Sequence, residues 1–485
     1  MTTSSLLLNP HHQGIPEQSL RLPRERRLNL LALTSIIFFT TCGGAFGLEP
    51  LIGAVGPGWA IILILVTPFV WSLPAALMAA ELTALMPEEG GYYVWVREAF
   101  GPFCAVQQSW WMMTIATVWL AMYPVLFVSY LSFFVPALET TANAPHAPFV
   151  ALIRWGLEVL FIAAGVAVNL RGAREVGSLS KVSAYFVLGS FALLVLVWLK
   201  LGSLPASFPE FIRRDLASSH AGNVLLGLSY IIFNTSGWEN ASTYAAEVNE
   251  PQRNYPRGLA VALLVLILCY LLPVIAGVSI TSEPTIWSAD AGWPAIAKLI
   301  GGRWLGGLLA AAGLVSTMGL FNAQLLYASR LPFVLARDGW LPRSLAKSSS
   351  ATAVPGVSLL TVAALTAVFA ALSFGSLAVI QCVLYAATLT WEFLALLILR
   401  IRRPNAHRGF RVPGSWLGMA YVCVTPSAFA MLVLYASLHD WRSFPGQIFV
   451  VATVIASGVG LYFIRRRFAL GPPIGSIPNA LATKR

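Results

Sequence analysis

Long runs of apolar residues recur along the whole chain, and they limit the folds that it can adopt. A helix needs about 20 apolar residues to cross the hydrocarbon core of a membrane, whereas a strand of a membrane barrel needs only about 10. The runs therefore predict an all-α integral membrane protein with 12 transmembrane helices, in line with 57% hydrophobic and 11% charged residues. The predicted segments are residues 28–55, 59–85, 103–135, 148–169, 177–199, 221–248, 258–281, 304–329, 355–372, 376–400, 416–437 and 446–464.

Two of these segments, the first and the sixth, are interrupted by residues that do not suit a helix in lipid. The first interruption contains Gly43, Gly44 and Gly47, and the second places Gly237 close to the carboxylate of Glu239. Backbone that leaves a helix inside a membrane is tolerated only where protein or a water-filled cavity satisfies its N–H and C=O groups. Matched interruptions in two halves of a chain are typical of the substrate site of a secondary transporter.

The spacing of the interruptions predicts an internal repeat. They lie about 193 residues apart, and each begins a group of five segments. Because five is odd, the two groups run in opposite directions, which gives a 5+5 inverted repeat with broken helices 1 and 6. We divide the chain into a cytoplasmic tail (1–27), a transport core (28–400, with repeats 28–200 and 221–400), two C-terminal helices (416–464) and a second cytoplasmic tail (465–485).

The net charge of +11 is explained by membrane topology. Of the 31 Lys and Arg residues, 24 fall on one side of the predicted segments and 7 on the other. Because cytoplasmic loops carry the excess of positive charge, we place both termini in the cytoplasm of a multi-pass plasma (cell) membrane protein. The expected surroundings are a lipid bilayer, with no nucleic-acid partner, and the sequence leaves the oligomeric state open.

Signals for catalysis and for metal binding are missing from the sequence. It has neither a Gly-x-x-x-x-Gly-Lys-Ser/Thr nucleotide loop nor a Gly-x-Ser-x-Gly elbow. The six histidines form no cluster, and the cysteines show no ligand spacing. The five cysteines are Cys42, Cys104, Cys269, Cys382 and Cys423. We therefore expect no enzyme activity, no cofactor, no metal site and no disulfide.

Two stretches outside the segments are rich in aromatic residues. Residues 87–97 (PEEGGYYVWVR) predict a short interfacial helix that enters the third segment. Residues 282–303, which include Trp287 and Trp293, are too apolar for a plain loop. They predict a partly re-entrant outer lid.

Several motifs spread over most of the chain carry a family resemblance. They are residues 43–49 (GGAFGLE), Ala80-Glu81-Leu82, residues 87–96 (PEEGGYYVWV), residues 123–127 (YPVLF), Gly237-Trp238-Glu239 and residues 247–253 (EVNEPQR). Together they resemble the amino acid-polyamine-organocation (APC) superfamily of secondary transporters. The polyamine-uptake branch, related to the L-type amino acid transporters, is the most similar. The resemblance implies the leucine-transporter-type fold, alternating access, and a substrate site between the broken first and sixth helices.

The first interruption supplies six candidate substrate-binding residues: Cys42, Gly43, Gly44, Ala45, Phe46 and Gly47. Unwinding here exposes N–H groups at the start of the outer half-helix, whose dipole favours an anionic group such as an amino acid carboxylate. Glycine permits the close backbone approach that such binding needs. The alternative is that the glycines are small packing positions between helices.

The second interruption supplies four further substrate-binding candidates: Ser236, Gly237, Trp238 and Glu239. Freed carbonyls there would accept hydrogen bonds from an ammonium group, and Trp238 would offer a cation–π face. A carboxylate at membrane depth, Glu239, favours substrates with extra positive charge, and its alternative role is a structural ion pair or hydrogen-bonded carboxyl. Of the aromatic residues in this half, Tyr230, Phe233 and Tyr385 are not singled out, because most aromatics in such a chain face lipid or the core.

Four other charged residues are candidates for gating or coupling: Glu49, Glu81, Lys181 and Glu392. Glu49 would attract cations to an outer vestibule and, with Glu239, grip the two ends of a polyamine; the alternative is a helix-terminal or gate contact. Glu81 favours a structural role at the inner gate. Lys181 suggests proton coupling, but the coupling lysine of the family aligns near Ala184, so a positive-inside anchor is favoured. For Glu392, pairing and proton transfer are both open.

These features favour a secondary active transporter that imports polyamines or other cationic amines across the plasma membrane by alternating access. Coupling to protons is expected. The first alternative is an amino acid permease for neutral or cationic amino acids. A second alternative, of a different class, is a non-transporting amino acid sensor or a transporter-like subunit.

Overall fold

The computed structural model describes residues 29–87, 90–139, 147–201, 208–217, 224–240, 242, 248–288, 292–349, 354–439, 442 and 445–467. The N-terminal tail at 1–27, most of the C-terminal tail, and Glu88, Glu89 and Glu247 of the family motifs lie outside the described residues. Within the described ranges the regular secondary structure is helical and contains no β-strand. The predicted all-α class is confirmed.

The described part of the chain contains nineteen α-helices. The first nine are α1 (Leu30–Thr41), α2 (Glu49–Val55), α3 (Pro57–Thr67), α4 (Leu73–Leu85), α5 (Tyr92–Phe100), α6 (Pro102–Ser132), α7 (Ala147–Asn169), α8 (Ala173–Lys200) and α9 (Phe208–Ala217). The others are α10 (Val224–Thr235), α11 (Pro251–Ile280), α12 (Pro284–Ser288), α13 (Gly292–Gly301), α14 (Arg303–Ala328), α15 (Arg330–Arg337), α16 (Gly356–Phe369), α17 (Phe374–Arg402), α18 (Ser415–His439) and α19 (Pro445–Arg467).

Among these residues, nine helical stretches are long and apolar enough to cross a membrane. They are Pro57–Leu85, Pro102–Ser132, Pro148–Asn169, Glu175–Lys200, Pro251–Ile280, Arg303–Arg337, Phe374–Arg402, Ser415–Ala436 and Pro445–Arg467. Two shorter apolar helices, Leu225–Thr235 and Gly356–Phe369, accompany them. Together with α1 and α2, these helices occupy every one of the predicted segments, and the chain is a multi-pass membrane protein.

The first and the sixth segments both contain non-helical backbone. Helix α1 ends at Thr41 and α2 begins at Glu49, so residues 42–48 form bends and turns. We call this stretch the first break. Helix α10 ends at Thr235, and residues 236–240, which we call the second break, follow it. The prediction of helix up to residue 248 is wrong for the described positions, because residues 240 and 242 are 3-10 turns and residues 248–250 are irregular.

The second and third segments differ from each other in how they contain proline. Helix α6 runs without interruption through Pro124 and ends at Ser132. The second segment instead contains a π-helical turn, Pro68–Ser72, between α3 and α4. Such a turn inserts an extra residue into the helix and re-aims the side chains around it. It directs Trp71 and Ser72 toward the second break, as their hydrogen bonds show.

The two aromatic stretches form short helices packed within the protein. Helix α5 occupies the predicted position after the glycine pair, but its residues Tyr92, Tyr93 and Trp95 are buried, and it packs against α6 and α17. The prediction of a helix that lies at the lipid interface is therefore wrong for these aromatic residues, which contact protein instead. The stretch after α11 forms α12 and α13, and Trp287 and Trp293 are fully buried.

Candidate functional site

The carbonyl groups of the first break receive hydrogen bonds from side chains of other helices. Ser316 of α14 donates to the Gly43 carbonyl, Trp293 Nε1 of α13 to the Ala45 carbonyl at 2.7 Å, and Asn234 Nδ2 of α10 to the Gly47 carbonyl at 2.9 Å. Each donor replaces a bond that a continuous helix would have made within itself. Side chains from three helices remote in sequence therefore stabilise the non-helical backbone of the first break.

Glycine is required in the first break for backbone conformation as well as for space. Gly44 has φ +92° and Gly47 has φ +85°, a region that residues with a side chain rarely adopt. A methyl group on Gly43 would lie 2.4 Å from the Leu320 side chain. The packing alternative thus describes Gly43, whereas Gly44 and Gly47 are needed for the turn itself.

The second break is held by side chains from the π-helical turn and from helix α17. Ser72 Oγ donates to the Thr235 carbonyl at 3.0 Å, and Trp71 Nε1 donates to Ser236 Oγ at 3.2 Å. The Gly237 N–H donates to the Tyr385 hydroxyl at 2.9 Å. The Thr235 carbonyl, one of the groups expected to face an ammonium, thus has a donor from within the protein in this conformation.

Glu239 is the buried charge of the second break. The residue is completely buried, and its Oε2 accepts a hydrogen bond from the Tyr385 hydroxyl at 2.8 Å. Its other oxygen, Oε1, has no hydrogen-bond partner in the described part of the chain. No described Lys, Arg or His forms an ion pair with it. The ion-pair alternative is therefore not what this conformation shows, and half of the carboxyl remains open to a donor.

A small cavity, with room for about one water molecule, lies beside the first break. Cys42, Gly43 and Phe46 are the substrate-binding candidates that line it. The remaining walls come from Thr40, Thr41, Trp119, Tyr123, Leu126, Phe233, Asn234, Tyr270, Thr317 and Leu320. The other substrate-binding candidates, Gly44, Ala45, Gly47, Ser236, Gly237, Trp238 and Glu239, are not in its walls.

Aromatic rings line the cavity, and the ring of Trp238 is not one of them. Trp238 is fully buried, and its indole donates to the Thr235 carbonyl at 2.9 Å. Trp119, Tyr123 and Phe233 line the cavity instead, and the Trp119 ring packs edge-on to Tyr385 at 5.5 Å. The cation–π role of Trp238 stays a prediction. Trp119 escaped the sequence analysis because nothing polar marks its position in α6.

Glu49 is a buried contact between the first break and the neighbouring helices. Its Oε2 accepts from the Gly47 N–H at 2.7 Å, and its Oε1 accepts from the Tyr130 hydroxyl at 2.9 Å and the Trp293 N–H at 3.4 Å. Only 4% of its surface is exposed. In this structure Glu49 joins the first break to α6 and α13, and its predicted role in attracting cations stays a prediction.

Glu81 forms a buried ion-pair network with two arginines. Its carboxylate contacts Arg400 at 2.8 Å and Arg408 at 3.2 Å, and it accepts the Val412 N–H at 2.7 Å. Both Glu81 and Arg400 are almost fully buried. This network ties the end of α4 to the end of α17 and to the loop that follows it, which agrees with a structural role at a gate.

A second ion pair joins α5 to the chain after α15. Arg97 lies 3.0 Å from Asp338, and the Tyr93 hydroxyl donates to the same Asp338 oxygen at 2.7 Å. Burial and the neighbouring Asp338 charge raise the pKa of Tyr93, so the hydroxyl keeps its proton and remains a donor. The aromatic motif that begins at Tyr92 thus anchors α5 rather than exposing it.

The last two charged candidates lie in different surroundings. Lys181 is half-buried on α8, six residues before Val187, and it is Val187 and Phe191 that contact the first break at Gly44. The structure therefore does not bring Lys181 to the first break. Glu392 on α17 is completely buried, and its Oε1 accepts a hydrogen bond from Gln108 Nε2 at 2.8 Å.

Replacing Trp293 by phenylalanine tests whether α13 keeps the first break closed. The change removes the indole N–H and leaves the buried Ala45 carbonyl with only the longer bond from the Leu48 N–H at 3.3 Å, which costs about 1 kcal/mol. We expect Cys42, which lines the cavity, to react faster with maleimide in Trp293→Phe. The extent of labelling at Cys42 is followed by mass spectrometry.

Trp287→Phe is the matched control. Trp287 is equally buried and its ring packs edge-on against that of Trp293 at 5.5 Å, but its indole donates to the Thr281 carbonyl at 2.9 Å and not to the first break. We expect this variant to label at the wild-type rate. Equal acceleration in both variants, or none in Trp293→Phe, would contradict a closing role for α13.

Comparison with known proteins places the chain in a family. The amino acid permease family model matches residues 28–455. The chain is 34% identical over 474 residues to the polyamine transporter PUT1 of Oryza sativa subsp. japonica, which covers 96% of this chain and 85% of the relative. It is 33% identical over 410 residues to the polyamine transporter RMV1 of Arabidopsis thaliana, and this alignment covers 84% of this chain and 80% of the relative.

A more distant relative is an amino acid transporter. The b(0,+)-type amino acid transporter 1 of Mus musculus is 24% identical over 467 residues, with 91% of this chain and 88% of the relative covered. The family match spans nearly all of the helices described above, including both breaks. As its resemblance to the APC superfamily predicted, this chain belongs to the amino acid permease family.

Proposed function

We propose that the protein is a secondary active transporter that imports polyamines or other cationic amines across the plasma membrane by alternating access. The observation that carries this proposal is Glu239, a fully buried carboxyl beside the second break with one oxygen free of any described hydrogen-bond donor. A buried carboxylate is stabilised by a cation that donates to it. Relatives named as polyamine transporters support the same substrate class.

The proposed topology is a leucine-transporter-type fold of 12 spans, with two inverted groups of five and two further helices. The nine long apolar stretches, together with the broken α1–α2 segment, α10 and α16, support this count. Both termini lie in the cytoplasm in this proposal, because the excess of Lys and Arg falls on their side. Residues 42–47 and 236–239 then form the substrate site at the centre of the core.

The membrane potential supports import of a cationic substrate. Each positive charge that moves inward gains about 2.3 kcal/mol per 100 mV of membrane potential. A polyamine carries several such charges, so the potential alone favours its accumulation. Proton coupling is part of the proposal, and buried carboxyls such as Glu239 are the groups that would exchange a proton for a substrate ammonium.

An amino acid permease is the second candidate. The mouse relative named as an amino acid transporter supports it, and the first break has the glycines that a bound carboxylate group needs for close approach. A non-transporting sensor or transporter-like subunit is a candidate of a different class. It differs from both transporters in a single respect, because it does not move substrate when it is alone in a membrane.

Uptake by the purified protein in liposomes tests these candidates together. Labelled spermidine is supplied with putrescine, arginine, leucine or a neutral sugar as competitor, and uptake of labelled leucine is measured in parallel. We expect spermidine to accumulate, putrescine to compete, and leucine and the sugar to have no effect. Leucine uptake without spermidine uptake would support the amino acid permease, and no uptake of any substrate would support the sensor.

Proton coupling is tested separately with the membrane potential clamped. Potassium and valinomycin hold the potential constant while the proton gradient is imposed or collapsed. We expect accumulation of spermidine to fall when the proton gradient is collapsed. Unchanged accumulation would leave a carrier driven by potential alone and overturn the proton coupling.

A further inference from the structure

Two fully buried carboxyl groups, Glu239 and Glu392, each have one bonded and one open oxygen. Tyr385 donates to Glu239 Oε2 at 2.8 Å, and Gln108 donates to Glu392 Oε1 at 2.8 Å. In the described structure, Glu239 Oε1 and Glu392 Oε2 have no hydrogen-bond partner. Neither carboxyl forms an ion pair with a described residue. Two buried acids with open acceptors and no cation are unusual, because desolvation of a charge is costly.

The two carboxyls belong to one polar cluster. Glu239 is hydrogen-bonded to Tyr385 of α17, Glu392 lies on the same helix, and α5, which carries Tyr92, packs against it. Tyr92 is fully buried, and its hydroxyl has no hydrogen-bond partner among the described residues. Tyr385 and Glu392 lie seven residues apart on α17, which is two helical turns, or roughly 10 Å along one face. The cluster thus extends from the second break along α17.

Aromatic rings connect this cluster to the cavity. Trp119 lines the cavity, and its ring centre lies 5.5 Å from that of Tyr385, whose hydroxyl contacts Glu239. A cation that leaves the cavity toward Glu239 would pass these two rings, which favour positive charge. The ammonium group has three donors and no acceptor, so it matches a site made of open carboxyl oxygens and a tyrosine hydroxyl.

We propose that Glu392 and Tyr92 form a second ammonium site, which binds the far end of a long polyamine whose near end binds Glu239 at the second break. This inference rests on the proposed function and deepens it, because it makes Glu392 the residue that distinguishes spermidine from shorter amines. It replaces the predicted pairing of Glu49 with Glu239. Both Glu49 oxygens already accept hydrogen bonds within the protein, whereas Glu392 Oε2 does not.

Glu392→Gln tests the second ammonium site by the length of the substrate. The variant keeps the shape and an acceptor for Gln108 but removes the charge. We expect the KM for spermidine to rise about tenfold, the loss of one hydrogen bond to a charged group. The KM for putrescine, which has two ammonium groups and is too short to span both sites, should change by less than about threefold. Both values are measured by uptake in liposomes.

Two further variants separate binding from structural support. Gln108→Leu removes the same hydrogen bond and keeps the Glu392 charge, so it should retain the wild-type ratio of the two KM values. Glu392→Asp keeps the charge and should restore part of the spermidine affinity, even where Glu392→Gln assembles poorly. An equal change for both amines in Glu392→Gln, or the same loss of preference in Gln108→Leu, would overturn the site.

Failure of the second ammonium site can be distinguished from failure of the proposed function. If wild-type protein carries no polyamine, the proposed function fails and the second site fails with it. If wild-type protein carries spermidine and Glu239→Gln loses it while Glu392→Gln keeps the wild-type KM ratio, only the second site fails. Thermal stabilisation of the detergent-solubilised wild type by spermidine, compared with putrescine, gives a second measurement that does not depend on turnover.

Discussion

Replacing Glu239 by glutamine is expected to lower kcat/KM for spermidine uptake about 100-fold or more. The charge is fully buried and has one open oxygen, so a bound ammonium would be its main counter-charge. Removing one partner of a buried charged contact costs about 2–5 kcal/mol, which corresponds to a factor of about 30 to several thousand. Glutamine still accepts the Tyr385 hydrogen bond, so the second break should keep its shape.

Thermal unfolding of the same variant separates loss of binding from loss of fold. Glu239→Gln removes a buried charge that no described residue neutralises, so its apparent melting temperature should equal or exceed that of the wild type. Glu158→Gln is the control, because Glu158 is a buried carboxyl on α7, which contributes no residue to the cavity. We expect Glu158→Gln to transport spermidine at the wild-type level. Full uptake by Glu239→Gln would exclude Glu239 from the substrate site.

The positions of the two breaks could be predicted because glycine and carboxylate have few uses inside an apolar segment. Gly44 and Gly47 adopt positive φ angles, which glycine reaches without strain because it has no side chain. A glycine in an apolar segment therefore indicates such a turn. Glu239 is a carboxyl residue inside a predicted membrane segment, so its burial had to be functional or paired. Local chemistry was sufficient at these positions.

The partners of the breaks could not be predicted, because they come from distant helices. Tyr385 and Trp293 each contact a break from more than 100 residues away in sequence. Each lies in an apolar helix where an aromatic residue has many roles. Trp119 is a similar case, since it became part of the cavity wall only when α6 packed beside the first break. Tertiary packing decides which of many similar residues reaches the site.

The charged candidates show the same division. Glu49 and Glu81 were recognised as acids at segment ends, but their partners determine their roles. The carboxylate of Glu49 is used by Tyr130 and Trp293, and that of Glu81 by two arginines about 320 residues away. A sequence gives the cost of burying such a charge, while the fold gives the groups that offset it.

Gly237→Ala is expected to abolish transport and to destabilise the protein. Gly237 has φ +100°, where an added side chain costs about 1–2 kcal/mol. Its new methyl group would also lie 2.4 Å from the Thr40 carbonyl oxygen, a backbone atom that Gln324 holds at 2.9 Å. Relieving that overlap requires the second break to move away from α1, at a further cost of about 1–3 kcal/mol. The movement would also separate the Gly237 N–H from Tyr385 and so displace Glu239.

Gly101→Ala measures the cost of a side chain at positive φ without a steric overlap. Gly101, between α5 and α6, has φ +88°, and a methyl group there would meet nothing within 4 Å. Its apparent melting temperature should fall by less than that of Gly237→Ala, and its spermidine uptake should stay near the wild-type rate. The two variants therefore differ mainly in the contact with Thr40. Similar uptake by both variants would contradict this prediction. It would mean that transport does not depend on the close packing of Gly237 against α1.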